Sequence, residues 1–256
     1  MATDPSAAGE RLYRAYADAD PVASAFGDDD AASLADGYAA QSAFVERRLP
    51  DEGPVVGYKV GFTNEAVQAD VGVDRPVFGR ILAGTVLSGE TVDADPLIAP
   101  RVEPEVAFLL DESLEPPVTP FDVVAATRAV VPTVEVVDSR VRDWDVTPAA
   151  AVADNGLAAR VLPARQSGTP DRDLALEGVR VRVDGAVEAT GTGAAVLGHP
   201  ARAVAWLAEA LPDRGDRLAA GDVVLTGSLT EPVPVAPGAT VTVEFATLGT
   251  VTARVT

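Results

Sequence analysis

Lys59 is the single lysine of a 256-residue chain, and the other nineteen of its twenty strongly basic side chains are arginine. It lies in Val55-Val-Gly-Tyr-Lys-Val-Gly-Phe-Thr63, an apolar run with Gly57 and Gly61 on either side, which does not read as a solvated face. An ammonium is a compact donor of tunable pKa, whereas a guanidinium is a permanently charged fork, so a site that needs the first cannot take the second. Lys59 is therefore the first candidate for a catalytic role, with burial expected to draw its pKa down toward neutrality. The competing reading is one surviving surface lysine.

Carboxylates supply the second candidate set. In Arg101-Val-Glu-Pro-Glu-Val-Ala-Phe108, Glu103 and Glu105 stand two apart on an expected strand, and a period of two puts both on one face. Like charges that close are unfavourable unless a cation lies between them. Glu135, in Pro132-Thr-Val-Glu-Val-Val-Asp138, is set among valines on a second expected strand, where an ionised carboxylate is costly unless paired or coordinated. Three carboxylates, no cysteine and one histidine (His199) suit a hard cation such as Mg²⁺ or Mn²⁺. Ion pairing to Arg101, Arg140 or Arg142 at a sheet rim accounts for the same residues equally well.

The elements that must position these groups are legible as alternations and breaks. Leu12, Tyr16 and Ala19 suggest the inner face of a first helix. A second is expected over 31–49, with Leu34, Tyr38, Phe44 and Leu49 inward, Pro50 as its stop and Asp28-Asp29-Asp30 as the loop and cap before it. Strands are expected over 54–62, 85–92, 102–110 (Val106 and Phe108 inward), 133–137 and 179–183, the last entering an Asp184-Gly185 turn, and over 222–227, 240–245 and 249–255. Helices are expected over 65–71, 121–131 and 200–211. No repeat or low-complexity linker divides the chain. The expectation is a mixed α+β fold, one catalytic domain over 1–256, with 1–52 a helical lead-in and 53–256 a β-rich metal-binding core.

Composition narrows the classes. A formal charge of −19 leaves no basic face for a nucleic-acid backbone. Arginine-only cations with abundant Asp suggest a salt-adapted, halophilic surface, where screening is short-ranged. The absence of cysteine removes disulfides, Fe–S centres and thiol nucleophiles. No apolar run reaches a membrane span and the first residues lack a signal profile, so a cytoplasmic protein is expected.

Seven ordered segments then carry a resemblance: Gly57-Tyr-Lys-Val-Gly-Phe-Thr, Val73-Asp-Arg-Pro-Val-Phe-Gly, Pro100-Arg-Val-Glu-Pro-Glu-Val-Ala-Phe, Glu135-Val-Val-Asp-Ser-Arg-Val-Arg-Asp-Trp, Ala153-Asp-Asn, Gly193-Ala-Ala-Val-Leu-Gly-His-Pro and Leu225-Thr-Gly-Ser-Leu-Thr. From about residue 30 onward the chain resembles the 2-keto-4-pentenoate hydratase and 4-oxalocrotonate decarboxylase group of the fumarylacetoacetate hydrolase superfamily. The resemblance implies a mixed β-roll and a Mg²⁺- or Mn²⁺-dependent homo-oligomeric lyase of the aromatic meta-cleavage route. It also implies Glu103, Glu105 and Glu135 as metal ligands and Lys59 as the active-site lysine. Hydratases of the group usually read Pro-Asp-Phe/Tyr-Gly where this chain has Pro76-Val77-Phe78-Gly79, and the decarboxylases carry an aliphatic residue there. Ser139–Trp144 is nearer the hydratase form, and Gly156-Leu157 departs from the usual Ala-Ser.

The leading expectation is a 2-keto-4-pentenoate (2-hydroxypenta-2,4-dienoate) hydratase. The alternatives are a 4-oxalocrotonate decarboxylase and a non-catalytic partner subunit, either able to sit in a complex with a related hydratase or decarboxylase. Hydrolysis of an acylpyruvate wants a histidine base near the metal, which His199 before Pro200 makes less attractive. Lys59 would hydrogen-bond a developing enolate oxygen or move the proton. Arg140 or Arg142 could take a substrate carboxylate. Thr226-Gly227-Ser228 could offer backbone N–H groups and a hydroxyl to one; Asn155 is a further substrate-binding candidate, while Asp154-Asn155 could equally cap a turn or support the metal shell. His199 is expected to be structural, Trp144 and Trp206 core or interface aromatics, and the 31–49 helix a face for another subunit.

Overall fold

The computed structural model describes residues 4–27 and 32–256, so the Asp28–Asp30 loop and cap lie outside the described residues. Helix α1 (Pro5–Asp18) opens on Asp4, whose carboxylate accepts the N–H groups of Ser6 and Ala7. Leu12 and Ala15 are buried, Tyr16 is half-buried, and Ala19 falls outside the helix as its left-handed cap. Helix α2 (Leu34–Glu52) starts in a reciprocal Ser33–Asp36 capping box. Its inner face is Gly37, Ala40, Gln41, Phe44, Val45 and Arg48, while Leu34 and Tyr38 are half-buried and Leu49 is exposed. Pro50 does not stop it. In the last turn proline forfeits one backbone bond, and the end comes at Gly53, whose N–H returns to Leu49 O.

Next come β1 (Val55–Gly61), α3 (Glu65–Val71), β2 (Val77–Leu82), β3 (Thr91–Val92), β4 (Arg101–Leu110), α4 (Pro120–Ala126), β5 (Thr127–Val137), α5 (Pro148–Ala153) and β6 (Ala158–Pro163). The chain closes with β7 (Gly178–Val183), β8 (Ala186–Thr192), α6 (Pro200–Ala210), β9 (Val223–Leu225), β10 (Val233–Pro234), β11 (Thr240–Phe245) and β12 (Gly249–Val255). Two expectations are corrected here. The run 85–92 yields only the two-residue β3, because Ser88-Gly89-Glu90 turns the chain away. The helix expected over 121–131 ends at Ala126, and Thr127–Val131 becomes the start of β5. That segment, with β-branched Thr127, Val130 and Val131, pairs with β4 along nearly its whole length, which outweighs local helical spacing.

The strands form two curled sheets. The larger runs β2-β1-β9-β4-β5-β6 with β10 beside β4, and the smaller runs β3-β12-β11-β7-β8. The turn between β7 and β8 is Asp184-Gly185, both left-handed, as the right-handed strand twist requires. In β11 the residues alternate between buried and half-buried, so one face meets the core. That core joins Val106, Phe108, Val130 and Val134 of the large sheet to Val181, Val241 and Val243 of the small one, with Val204 and Leu207 of α6 beneath. A separate cluster of Leu12, Phe44, Ala150 and Ala153 ties α1 and α2 to α5. Among the described residues no helix is long and apolar enough to cross a membrane.

Candidate metal centre and active site

Strands β1, β9, β4 and β5 are consecutive neighbours in the large sheet, and they bring the four candidate groups together. Glu103 and Glu135 are directly opposite residues of the antiparallel β4–β5 pair, and Glu105 follows two positions on, opposite Thr133. Each of the three glutamates offers a carboxylate oxygen within 4.8 Å of the others. Like charges directly across a sheet repel, so nothing in strand pairing favours this arrangement by itself. Lys59 enters from β1, its register partner being Leu225 of β9, which in turn faces Ala107 of β4. Its Nζ lies 3.1 Å from Oε2 of Glu135 and donates to the carbonyl of Gly156 at 2.9 Å.

The polar atoms here are incompletely satisfied. Oε2 of Glu105 accepts the N–H of Gly227 at 2.8 Å, while its Oε1 and both oxygens of Glu135 are buried with no hydrogen bond among the described residues. Oε2 of Glu135 has only ionic contact with Lys59. Buried polar atoms normally find partners, so the Oε1 atoms of Glu105 and Glu135, with neither a hydrogen bond nor an ion pair, need an occupant. Three carboxylates against one ammonium leave two surplus negative charges, which one divalent cation cancels. The donors are hard oxygens with no nitrogen or sulfur, and they suit Mg²⁺ or Mn²⁺.

Without a cation, charge and burial distort the titrations. Burial pushes Glu103 up to about 7, reinforced by Glu135 and opposed by Lys59 and Arg101. Glu105 is driven well above the carboxylate range by burial and then by Glu135. For Lys59, burial is the largest single influence and disfavours its charge, as the sequence suggested. The summed attraction of Glu135, Glu103 and Glu105 overrides it and holds the ammonium above its ordinary pKa. In the metal-free site the ammonium is thus held up rather than drawn toward neutrality, because three carboxylates converge on it.

Around the cluster is a cavity of about 670 Å³, lined by Lys59, Glu103, Gly227 and Ser228 with Val77, Trp144 and Leu157 among its walls. Val77, in that wall, is 2% exposed. The other sequence candidates divide. Gly227 gives its N–H to Glu105, so the carboxylate this segment serves belongs to the protein. Its backbone is left-handed at φ 104°, and a Cβ there would lie 2.2 Å from Thr63 Oγ1. Thr226 is buried, its hydroxyl bonded to Val106 O at 2.9 Å, and it does not line the cavity.

Asn155 supports the site from behind. Its amide oxygen accepts Arg80 N–H at 2.7 Å and its nitrogen donates to Arg80 O at 2.8 Å, clamping the turn to β2. Asn155, Gly156 and Leu157 are all left-handed, with φ 55°, 62° and 65°. That strained turn aims the Gly156 carbonyl at Lys59. Arg140 is not brought to the cavity. It is 1% exposed and held by Asp154, which accepts its backbone N–H at 2.9 Å and its Nε at 2.5 Å. Burial pushes Asp154 up to about 6 even against the pull of Arg140. Arg142 is exposed and reaches Pro21 O.

His199 is structural, as expected. Its Nδ1 caps α6 by accepting Ala201 N–H at 3.1 Å, and burial lowers its pKa. Trp144 lines the cavity rather than joining the core, whereas Trp206 does pack on the core. Arg101, considered earlier only as a salt-bridge partner, also lines the cavity. Continuing the period of two from Glu105 through Glu103 back to 101 would have found it.

The fumarylacetoacetate (FAA) hydrolase C-terminal family model matches residues 88–256. The chain is 38% identical to a 4-oxalocrotonate decarboxylase of Pseudomonas sp. (strain CF600) over 97% of this chain and 95% of the relative. It is 41% identical to a 2-keto-4-pentenoate hydratase of Burkholderia vietnamiensis (strain G4 / LMG 22486), over 86% and 85%. Among solved structures, a 4-oxalocrotonate decarboxylase from Pseudomonas putida G7, complexed with magnesium and adipate, superposes with a TM-score of 0.92 at 36% identity, covering 98% of this chain and 97% of the other. A glutamate set of this kind on two curled sheets, with likeness running almost end to end, has one reading: the chain belongs to the fumarylacetoacetate hydrolase family.

Proposed function

We propose that this protein is a divalent-metal-dependent lyase that holds a 2-oxo acid or 2-hydroxydienoate as its enolate. One observation carries the reading: three carboxylates, two of them with buried oxygens that lack hydrogen bonds, converge beside a lone ammonium at the wall of a substrate-sized cavity. Glu103, Glu105 and Glu135 would hold Mg²⁺ or Mn²⁺, and the bound ion supplies Lewis-acid stabilisation of negative charge on the substrate's 2-oxygen. The magnesium and calcium in solved decarboxylase neighbours support that choice.

Lys59 presents its ammonium to the cavity as hydrogen-bond donor and proton carrier for the developing enolate. Gly156 O fixes its position, and Asn155 fixes Gly156. The Gly227 N–H orients Glu105, leaving one oxygen of that carboxylate free. Apolar walls, including Val77, exclude competing water and raise the weight of every charge in the site.

Hydration of 2-hydroxypenta-2,4-dienoate is supported by relatives bearing hydratase names and by the Ser139–Trp144 segment. Decarboxylation of 4-oxalocrotonate is favoured by a different observation: the wall carries Val77 where a hydratase would place an acid. Ultraviolet monitoring of both substrates with Mg²⁺, with a separate assay for CO₂, tests the reading. Water addition without CO₂ establishes the hydratase, CO₂ release the decarboxylase, and no turnover of either sinks the lyase proposal. Glu135→Ala separates enzyme from non-catalytic subunit: it should weaken Mn²⁺ binding at least about 100-fold and abolish turnover together.

The same proposal treats the whole chain as one catalytic unit that self-assembles, alone or with a related hydratase or decarboxylase. It also takes the protein to work in the cytoplasm, its charge of −19 suiting a salt-rich one.

A further inference from the structure

β2 is an edge strand of the large sheet, and backbone groups of Phe78 and Arg80 in it are met by side chains rather than by another strand. Tyr38 Oη accepts the N–H of Phe78 at 3.2 Å, and the Asn155 amide holds both the N–H and the carbonyl of Arg80. Phe78 O falls to Gln41 of α2, a wholly buried amide. Its Nε2 donates to Phe78 O and to Val152 O of α5, each at 2.9 Å, and its Oε1 accepts Nη1 of Arg80 at 2.9 Å. Both donors of the amide are thereby used. Arg48, the other polar residue on the inner face of α2, pairs within its own helix with Glu52. Gln41 instead joins three elements.

Those three elements meet at Lys59. Val152 lies in the last turn of α5, shortly before Asn155, and Phe78 precedes Gly79, the register partner of Lys59 in the β1–β2 pair. β2 and the left-handed turn at 155–157 touch directly. A Cβ on Gly79 would lie 2.2 Å from Asn155 O, and one on Gly156 would lie 3.0 Å from Cδ of Lys59. A strained turn keeps its shape only as far as its neighbours impose it. Asn155 clamps this one to a single residue, Arg80, which alone would act as a pivot. Gln41 adds a tie on each side of the pivot, to Phe78 in β2 and to Val152 ahead of the turn. Its oxygen also shares the Arg80 guanidinium with Asp216. Separate ties fix an angle as well as a distance, and that angle decides where the Gly156 carbonyl meets the ammonium.

We infer that Gln41 is a positioning residue for Lys59: its amide sets β2 against the 155–157 turn and, through Gly156, the place of the ammonium. Gln41 neither lines the cavity nor belongs to the glutamate cluster. The inference deepens the reading of Lys59 as the group that serves the enolate, and its effect on rate rests on that reading.

Because Lys59 is the single lysine, ¹³C-lysine labelling gives one side-chain signal, whose NMR shift reports the ammonium's surroundings without any turnover. Gln41→Met keeps the length of the side chain and removes all three hydrogen bonds. On Mg²⁺-loaded protein it should move the Lys59 Cε signal and lower kcat ~10- to 100-fold with KM little changed. Gln41→Glu keeps an acceptor for Arg80 and loses both donors, so its shift and rate loss should be smaller but present. It takes the place of Gln41→Met if circular dichroism shows that variant unfolded. Leu12→Ala is the control for stability alone: it empties part of the core between α1 and α2, and should lower Tm while leaving the signal and kcat as in wild type. An unmoved signal in the folded Gln41 variants, an unchanged kcat in an active enzyme, or an equal shift in Leu12→Ala overturns the inference. If the signal follows Gln41 while wild type turns over neither 4-oxalocrotonate nor 2-hydroxypenta-2,4-dienoate, the positioning stands and the lyase reading falls. If turnover occurs and the signal ignores Gln41, the reverse holds.

Discussion

Of the buried cations that face carboxylates among the described residues, Arg140 and Lys59 have surroundings that differ in kind. Arg140 meets Asp154 as a nearly complete unit: both carboxylate oxygens are bonded to it, and its Nη2 also reaches the Asp154 carbonyl at 2.8 Å. Only its Nη1 is left over. Lys59 meets three glutamates, of which one oxygen of Glu105 and both of Glu135 lack hydrogen bonds. The first pair is closed and can only hold the 139–141 segment to the 154–158 turn. The second is open, over-supplied with negative charge and next to a cavity. Burial and charge are common to both; what separates a brace from a site is whether the lone pairs are spent.

The contrast breaks first at activity. Lys59→Arg keeps the charge but replaces a compact donor with a fork, and kcat should fall by about 10³ with the circular dichroism spectrum unchanged. Activity within a few-fold of wild type would remove Lys59 from catalysis. At Arg140, stability rather than activity should respond. Asp154→Asn leaves a buried guanidinium without its counter-charge and should cost about 3–5 kcal/mol, read as a lower urea midpoint at unchanged slope.

The open cluster should answer with the opposite sign. Glu103→Gln removes one of two carboxylates directly opposed across β4–β5, so the metal-free protein should gain about 1 kcal/mol while its Mn²⁺ affinity falls. A loss of stability there would show the cluster to be a brace after all.

The smallest effect lies outside both regions, at Glu244. Hydrogen bonds from Arg180 and Arg182 hold its carboxyl down to about 2 from an ordinary 4.5. Its contribution is therefore full above pH 4.5 and disappears as pH falls through about 2. The stability difference between wild type and Glu244→Gln should be slight, constant above that window and absent below it. An exposed pair of this sort is screened by salt, so added NaCl should shrink the difference further.

What was readable along the chain was read from residue type and local period. The rarity of Lys59, the face shared by Glu103 and Glu105, the valines around Glu135 and the Asp184-Gly185 turn each depend on neighbours a few positions away. Local signals failed where pairing partners are distant. Thr127–Val131 spaces its apolar residues like a helix, yet β4 takes it into the sheet, and Pro50 matters less in a last turn than in mid-helix. Arg140 looked available for a substrate because nothing in sequence shows Asp154 folding back on it.

Sequence alone therefore named the groups proposed to carry the chemistry, since identity and charge are properties of single residues. Only the tertiary structure decided that Glu103 opposes Glu135, that β9 brings Lys59 alongside them, and that Arg101 lies on Trp144 facing the same cavity. Strand register and crossover are long-range choices. They are set by the summed burial of a core shared between two sheets, and no window of neighbouring residues contains that sum.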